Sequence, residues 1–141
     1  MRAVRETKAM IAGMAPVLRP GRFVFVTGAG ENLAPQALAS FREAEGLSLI
    51  LAEETARAQG FDTAMAMACI TLTVHSALDG IGLTAAVAGA LTQAGIPCNM
   101  VAAFHHDHVF VPVERAEEAV AVLQAAAEAA GAGAAAAGAA G

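Results

Sequence analysis

Clustered positive charge is missing from this sequence. Its 8 lysines and arginines are scattered among 13 aspartates and glutamates, for a net charge of −5. Binding to a phosphate backbone needs grouped Lys and Arg, so nucleic acid is excluded as a partner. Cysteine is equally scarce. Cys69 and Cys98 are the only two and show no C-x-x-C spacing, so neither a disulfide framework nor a zinc knuckle is indicated. Long apolar runs are absent as well. The N-terminal stretch "MRAVRETKAMIAGMAPVLRPG" carries Arg2, Arg5, Glu6 and Lys8 and is broken by Gly13 and Pro16. It suits neither a signal-peptide core nor a membrane span. A cytoplasmic protein without a membrane partner is the expectation.

What is present is apolar: 57% of the 141 residues are hydrophobic and 15% are charged, ample material for a packed core. Part of that fraction is alanine in the closing "AAAEAAGAGAAAAGAAG". There the recurring glycines and lack of large side chains predict a frayed tail from Gly131.

Patterning predicts a helix over 4–18, with Val4, Ile11, Met14 and Leu18 near one face. A strand follows over Arg22–Thr27, then a loop over Gly28–Pro35, a strand over Leu47–Ala52 and a short helix ending at Gly60. In "CITLTVHS", Ile70, Leu72 and Val74 alternate with Thr71, Thr73 and His75, the period of a strand with one face on a core. Leu83, Val87, Ala90, Leu91 and Ala94 form one helical stripe, closed by Gly95 and Pro97. "CNMVAAF" and "HVFVPV" read as strands around an HHD turn. "ERAEEAVAVLQAA" reads as a last helix with its acidic residues in the first turns, where the helix dipole favours them.

Strand, helix, strand, strand, helix is the order of a split βαβ sandwich, which needs a fourth strand that the alanine-rich tail is poorly suited to give. The first half offers a similar unit without its opening strand. Two tandem copies completing one another's sheets are therefore expected: residues 1–64, an incomplete subdomain, residues 65–127, a second, and residues 128–141, an Ala/Gly-rich tail. The strand at 98–104 is apolar on both faces, so its second face should meet another sheet or another subunit.

Three features of the second half carry a family resemblance: "GIGLTAAVAGALTQAGI", "GIPCN" and "DHVFVP". They resemble the loop and helix after the first strand, the start of the second strand and the third strand of the ACT domain. With "FREAEGLSLILAEETA" from the first half, the chain resembles small stand-alone bacterial proteins with tandem ACT-like halves, and more distantly the CASTOR arginine sensors. The resemblance implies an α+β, ferredoxin-like two-layer sandwich with antiparallel sheets. It also implies a non-catalytic regulatory function: a small effector such as an amino acid binds between copies, with no cofactor. A homo-oligomer acting on a regulated enzyme or other protein would follow.

The resemblance places the ligand at Asp79, Ile81, Gly82, Leu83, Thr84 and Asn99. The residues suit that chemistry. Gly80 and Gly82 permit close backbone approach, the N–H groups of Leu83 and Thr84 favour an anion, and Asp79 suits an ammonium. A plainer reading has Ser76 and Asp79 merely capping the helix. Phe104, Asp107 and His108 form a second tier of binding candidates.

The cluster His105–His108 raises a metal-binding enzyme as an alternative. A strand puts His106 with His108 and His105 with Asp107, neither a full ligand set, so His75 would have to join. A polar hairpin turn is the more economical reading. A structural assembly subunit is the third reading. Arg42 in "FREAEG" suits a carboxylate clamp or, more simply, an ion-paired loop. G-x-G-x-x-G fails at Leu33, no G-K-[ST] occurs, and Ser76 lacks a G-x-S-x-G elbow, so no catalytic constellation assembles.

Overall fold

The computed structural model describes residues 3–140; Met1, Arg2 and the tail residue Gly141 lie outside the described residues. The described residues pack as two compact units, one of residues 20–68 and one that joins residues 3–19 to 69–140.

The 20–68 unit is built on an antiparallel sheet. Strand β2 (Phe23–Thr27) pairs with β4 (Gly46–Ala52) from Phe23 opposite Ala52 to Thr27 opposite Ser48. Strand β3 (Ala39–Glu43) flanks β4, and Phe23 also pairs with Met67 at the start of β5 (Met67–Leu72). Val24, Val26, Leu49 and Leu51 alternate inward with the strand period and close on Leu33 and Ala56. Leu33 comes from a 3-10 helix, Glu31–Gln36, inside the stretch expected to be a loop. Ala56 comes from helix α2 (Glu53–Ala58). Strand β3 was not legible in the sequence: it is solvent-exposed along nearly its whole length and shows no apolar alternation.

The second unit orders its strands β1–β5–β7–β6, where β1 is Pro16–Leu18, β6 is Asn99–Ala102 and β7 is Asp107–Pro112. The fourth strand that the tail could not provide is β1, which lies antiparallel to β5 with Pro16 opposite Leu72 and Leu18 opposite Ile70. The expected helix over 4–18 is therefore corrected. Helix α1 covers only Thr7–Ala12, with the Glu6 carboxylate accepting from the N–H groups of Lys8 and Ala9 at 3.1 and 2.6 Å. Ala15, held out of the helical region by Pro16, turns the chain at φ 34° into β1.

Helix α3 (Leu83–Gln93) buries Leu83, Val87 and Leu91, the predicted stripe, and Gly95 has the left-handed φ of 69° expected of it. The Arg115 guanidinium donates to the carbonyls of Ala94 and Gly95 at 3.2 Å each, which satisfies the helix end. Helix α4 runs Ala116–Ala140 and packs against α1, α3, β1 and β7. It does not end at Gly131, which corrects the frayed tail: there α1 approaches closely, with Ala12 Cβ 3.9 Å from where a Gly131 Cβ would stand. Both residue sets of β5 are buried or half-buried, as is the whole of β7, whereas β6 is half-exposed.

Candidate functional site

The β5–α3 loop opens a cleft of about 170 Å³ whose walls include Met10, Ser76, Gly80, Gly82, Leu83, Thr84 and Asp107. Gly82 begins α3 at φ 104°, a value that glycine alone adopts without strain. No side chain caps this helix start, and its first intrahelical bond runs from the Ala86 N–H to the Gly82 carbonyl at 2.9 Å. The N–H groups of Leu83, Thr84 and Ala85 precede that bond and present partial positive charge.

The capping alternative therefore does not hold. Asp79 is paired with Arg5, at 2.9 Å to both Nε and Nη2, and the guanidinium holds its carboxyl below the usual carboxylate range. The Ser76 hydroxyl donates to Asp107 Oδ2 at 3.1 Å, fixing that carboxylate in the cleft wall. Gly82, Leu83, Thr84 and Asp107 thus come together in one place. Ile81 lies at the rim, 79% exposed, with its carbonyl accepting from the Thr7 hydroxyl. Asn99 begins β6 opposite Phe110, exposed and away from the cleft lining. Phe104 is 70% exposed in the β6–β7 turn. His108 faces β5 and hydrogen-bonds Thr71 through Nδ1 at 3.0 Å. Burial first, then the charges of Arg19 and His106, push its pKa down, with Asp107 opposing.

Thr7 and Met10 carry no local signal of a place at this site. Thr7 Cγ2 stands 2.6 Å from where a Gly82 Cβ would be, and Met10 Sδ 2.9 Å from the same position on Gly80. They lie 75 and 70 positions from those glycines along the chain, and only tertiary structure brings them here.

The histidines converge further than strand geometry alone suggests. The His75 ring lies 5.1 Å from that of His105 and 6.4 Å from that of His106, with Phe104 edge-on to His105 at 5.0 Å. Even so, among the described residues no group of three or more His, Cys, Asp or Glu is placed to hold a metal ion. Cys69 and Cys98 are free thiols, both pushed up by burial, which leaves them mostly protonated. Arg42 forks onto Glu31, with Nη1 and Nη2 at 2.6 and 3.2 Å from the two carboxylate oxygens. Among the described residues no helix is long and apolar enough to cross a membrane.

Two ACT-domain family models match, one over residues 3–68 and one over residues 66–125. A Vibrio cholerae protein of unknown function, described as a possible transport protein, is 40% identical. Its match covers 82% of this chain and 92% of its own, with a TM-score of 0.74. The regulatory subunit of aspartate kinase from Thermus thermophilus, in its ligand-free form, shares the fold at 12% identity (82% of this chain, 97% of its own, TM-score 0.59). The corresponding subunit from Thermus flavus does so at 12% (79% and 96%, TM-score 0.58). No curated protein matches the chain.

Proposed function

Because the chain belongs to the ACT-domain family, with two ferredoxin-like ACT domains in tandem, we propose that it is a non-catalytic regulatory protein binding a free amino acid in the cleft at the start of α3. One observation carries this reading. An uncapped helix start and a fixed carboxylate, Asp107, line one cleft. The helix N–H groups suit an α-carboxylate and Asp107 an α-ammonium, so the two poles of a zwitterion each find a partner. Gly82, Leu83 and Thr84 supply the backbone; Asp79 and Ile81 flank it in the same loop, Asn99 stands apart at the start of β6, and Phe104 and His108 stand in the neighbouring strands and turn. In sequence order the ACT copies take residues 1–64 and 65–127, with 128–141 a tail. The protein acts in the cytoplasm as a homo-oligomer and transmits occupancy to a partner enzyme or other protein. Structural relatives that are regulatory subunits of aspartate kinase support that mode of action.

Thermal-shift measurements with each of the twenty amino acids test the reading. At a hundredfold excess over Kd, binding stabilises by about 2.7 kcal/mol, or roughly 8 °C for a domain of this size. A flat response to all twenty at 10 mM overturns it.

A further inference from the structure

One wall of the cleft is Met10, from the N-terminal segment, whose earlier residues hold the loop that forms the mouth of the cleft. Contacts from four of the segment's residues land on the loop 75–82. The Val4 N–H donates to the His75 carbonyl at 2.7 Å and the Ala77 N–H to the Val4 carbonyl at 2.8 Å. Arg5 pairs with Asp79, the Thr7 hydroxyl donates to the Ile81 carbonyl, and Met10 packs under Gly80. Beyond them the chain bends at Ala15, whose unusual φ of 34° is pinned by Thr73: its N–H donates to the Met14 carbonyl at 2.6 Å and its hydroxyl to that of Ala15 at 2.9 Å.

The two ends of this segment are held unequally. Met10 and Met14 are buried, at 1% and 0% exposure, and β1 is paired to β5, whereas the Arg5 and Asp79 side chains are 68% and 74% exposed. Exposed ion pairs are weak and screened by salt, and a chain end opens locally long before a core does. The anchored part is residues 10–18 and the releasable part is residues 4–7.

We propose that Val4–Thr7 form a strap that clips the β5–α3 loop and controls access to the cleft. With the strap docked, the loop is fixed and the helix start is held in shape; with the strap released, the loop is free to open. Docking and occupancy are then linked, each favouring the other by the same factor. The inference rests on the cleft being the binding site, but the strap's mechanical effect can be measured without any ligand.

Hydrogen exchange on the full chain is that measurement, with two variants. Arg5→Ala/Thr7→Val removes two side-chain clips and leaves the buried anchor intact. Thr7→Cys/Gly82→Cys locks the strap: the Thr7 Cβ lies 3.8 Å from a Cβ built on Gly82, a spacing that suits a disulfide. The reduced form of that variant controls for the strain of a side chain at the φ of Gly82. Unclipping is expected to speed exchange of the amides at 77–84 at least tenfold, with those of 107–112 changing less than twofold. Oxidising the locked variant is expected to slow the 77–84 amides at least threefold relative to its reduced form. Unchanged exchange at 77–84 in both variants overturns the strap, as does a rise spread equally over 107–112. A protein that passes this test yet responds to no amino acid loses its proposed ligand and keeps its strap.

Discussion

The two ACT units treat the same loop in opposite ways. In the first, the chain leaves β2 through Gly28 (φ 79°) and Gly30 into a six-residue 3-10 helix that contains Pro35. Local groups fill that loop: Asn32 Oδ1 lies 2.7 Å from where a Gly30 Cβ would be, and Glu31 in the first turn is gripped by Arg42 of β3. In the second, Gly80 and Gly82 lead into an eleven-residue α-helix with no side-chain cap, and the cover over Gly82 is Thr7, from a distant segment. A loop filled by its neighbours in sequence keeps them beside it even when an exposed contact opens. One covered by a remote segment can be uncovered, and so the second unit is where a ligand is expected.

The largest effect expected from breaking this division is in the core. Leu72, fully buried on β5, and Leu51, fully buried on β4, belong to different units. Truncating either to alanine is expected to cost about 2–5 kcal/mol. Leu72→Ala should strip exchange protection from 83–112 before 23–52, and Leu51→Ala should do the reverse. Identical profiles would merge the two units into one cooperative block.

Asp107→Asn comes next. It keeps a partner for Ser76 and removes the negative charge, so the thermal response to an amino acid should fall by at least tenfold in apparent affinity, roughly 1.4 kcal/mol. Glu31→Gln, at the filled loop, should leave that response unchanged. Calorimetric titration of both variants decides it.

A smaller effect is expected from pH. The His108 pKa is lowered from 6.5 in the folded chain, so the unfolded chain takes up the proton first as the pH falls. Stability from this site is complete above about pH 6.5 and is lost as the pH drops from there toward the lowered value. Urea midpoints between pH 7.5 and 5.5 should fall, and His108→Gln should flatten that slope.

The smallest effect on stability belongs to Arg42→Ala, whose exposed ion pair should leave the urea midpoint where it is. The variant still sharpens the comparison, because it releases Glu31. A second amino-acid site appearing on titration would mean that the first loop differs from the second only in being stoppered.

How much of this was legible follows from where each signal lies. Strands β5 and β7 were readable as short runs rich in apolar and β-branched residues, and helix α3 because a single buried face stamps a helical period on the sequence. Gly95 was readable because its backbone angle admits few other residues. Strand β1 was hidden: three residues, Pro16–Leu18, have no pattern of their own and become a strand only by pairing with β5. Exposed β3 was hidden for the opposite reason, having no buried face. At the cleft, Gly82, Leu83 and Thr84 were identified because loop and helix are contiguous. Thr7 and Met10 were not, because nothing local ties them to a loop seventy positions on. Asp79 was given an ammonium as partner, and the structure supplies Arg5, a cation of the protein's own.

The edge strand β1 also sets a timetable. Synthesis delivers Pro16–Leu18 more than fifty residues ahead of Ile70–Leu72, its pairing partner. At about 5–20 residues per second that is a gap of roughly 3–10 s. During it the intervening unit can fold while the early segment waits. The second sheet closes last, across a long stretch of chain, and helix α4 arrives after every other element it must cover.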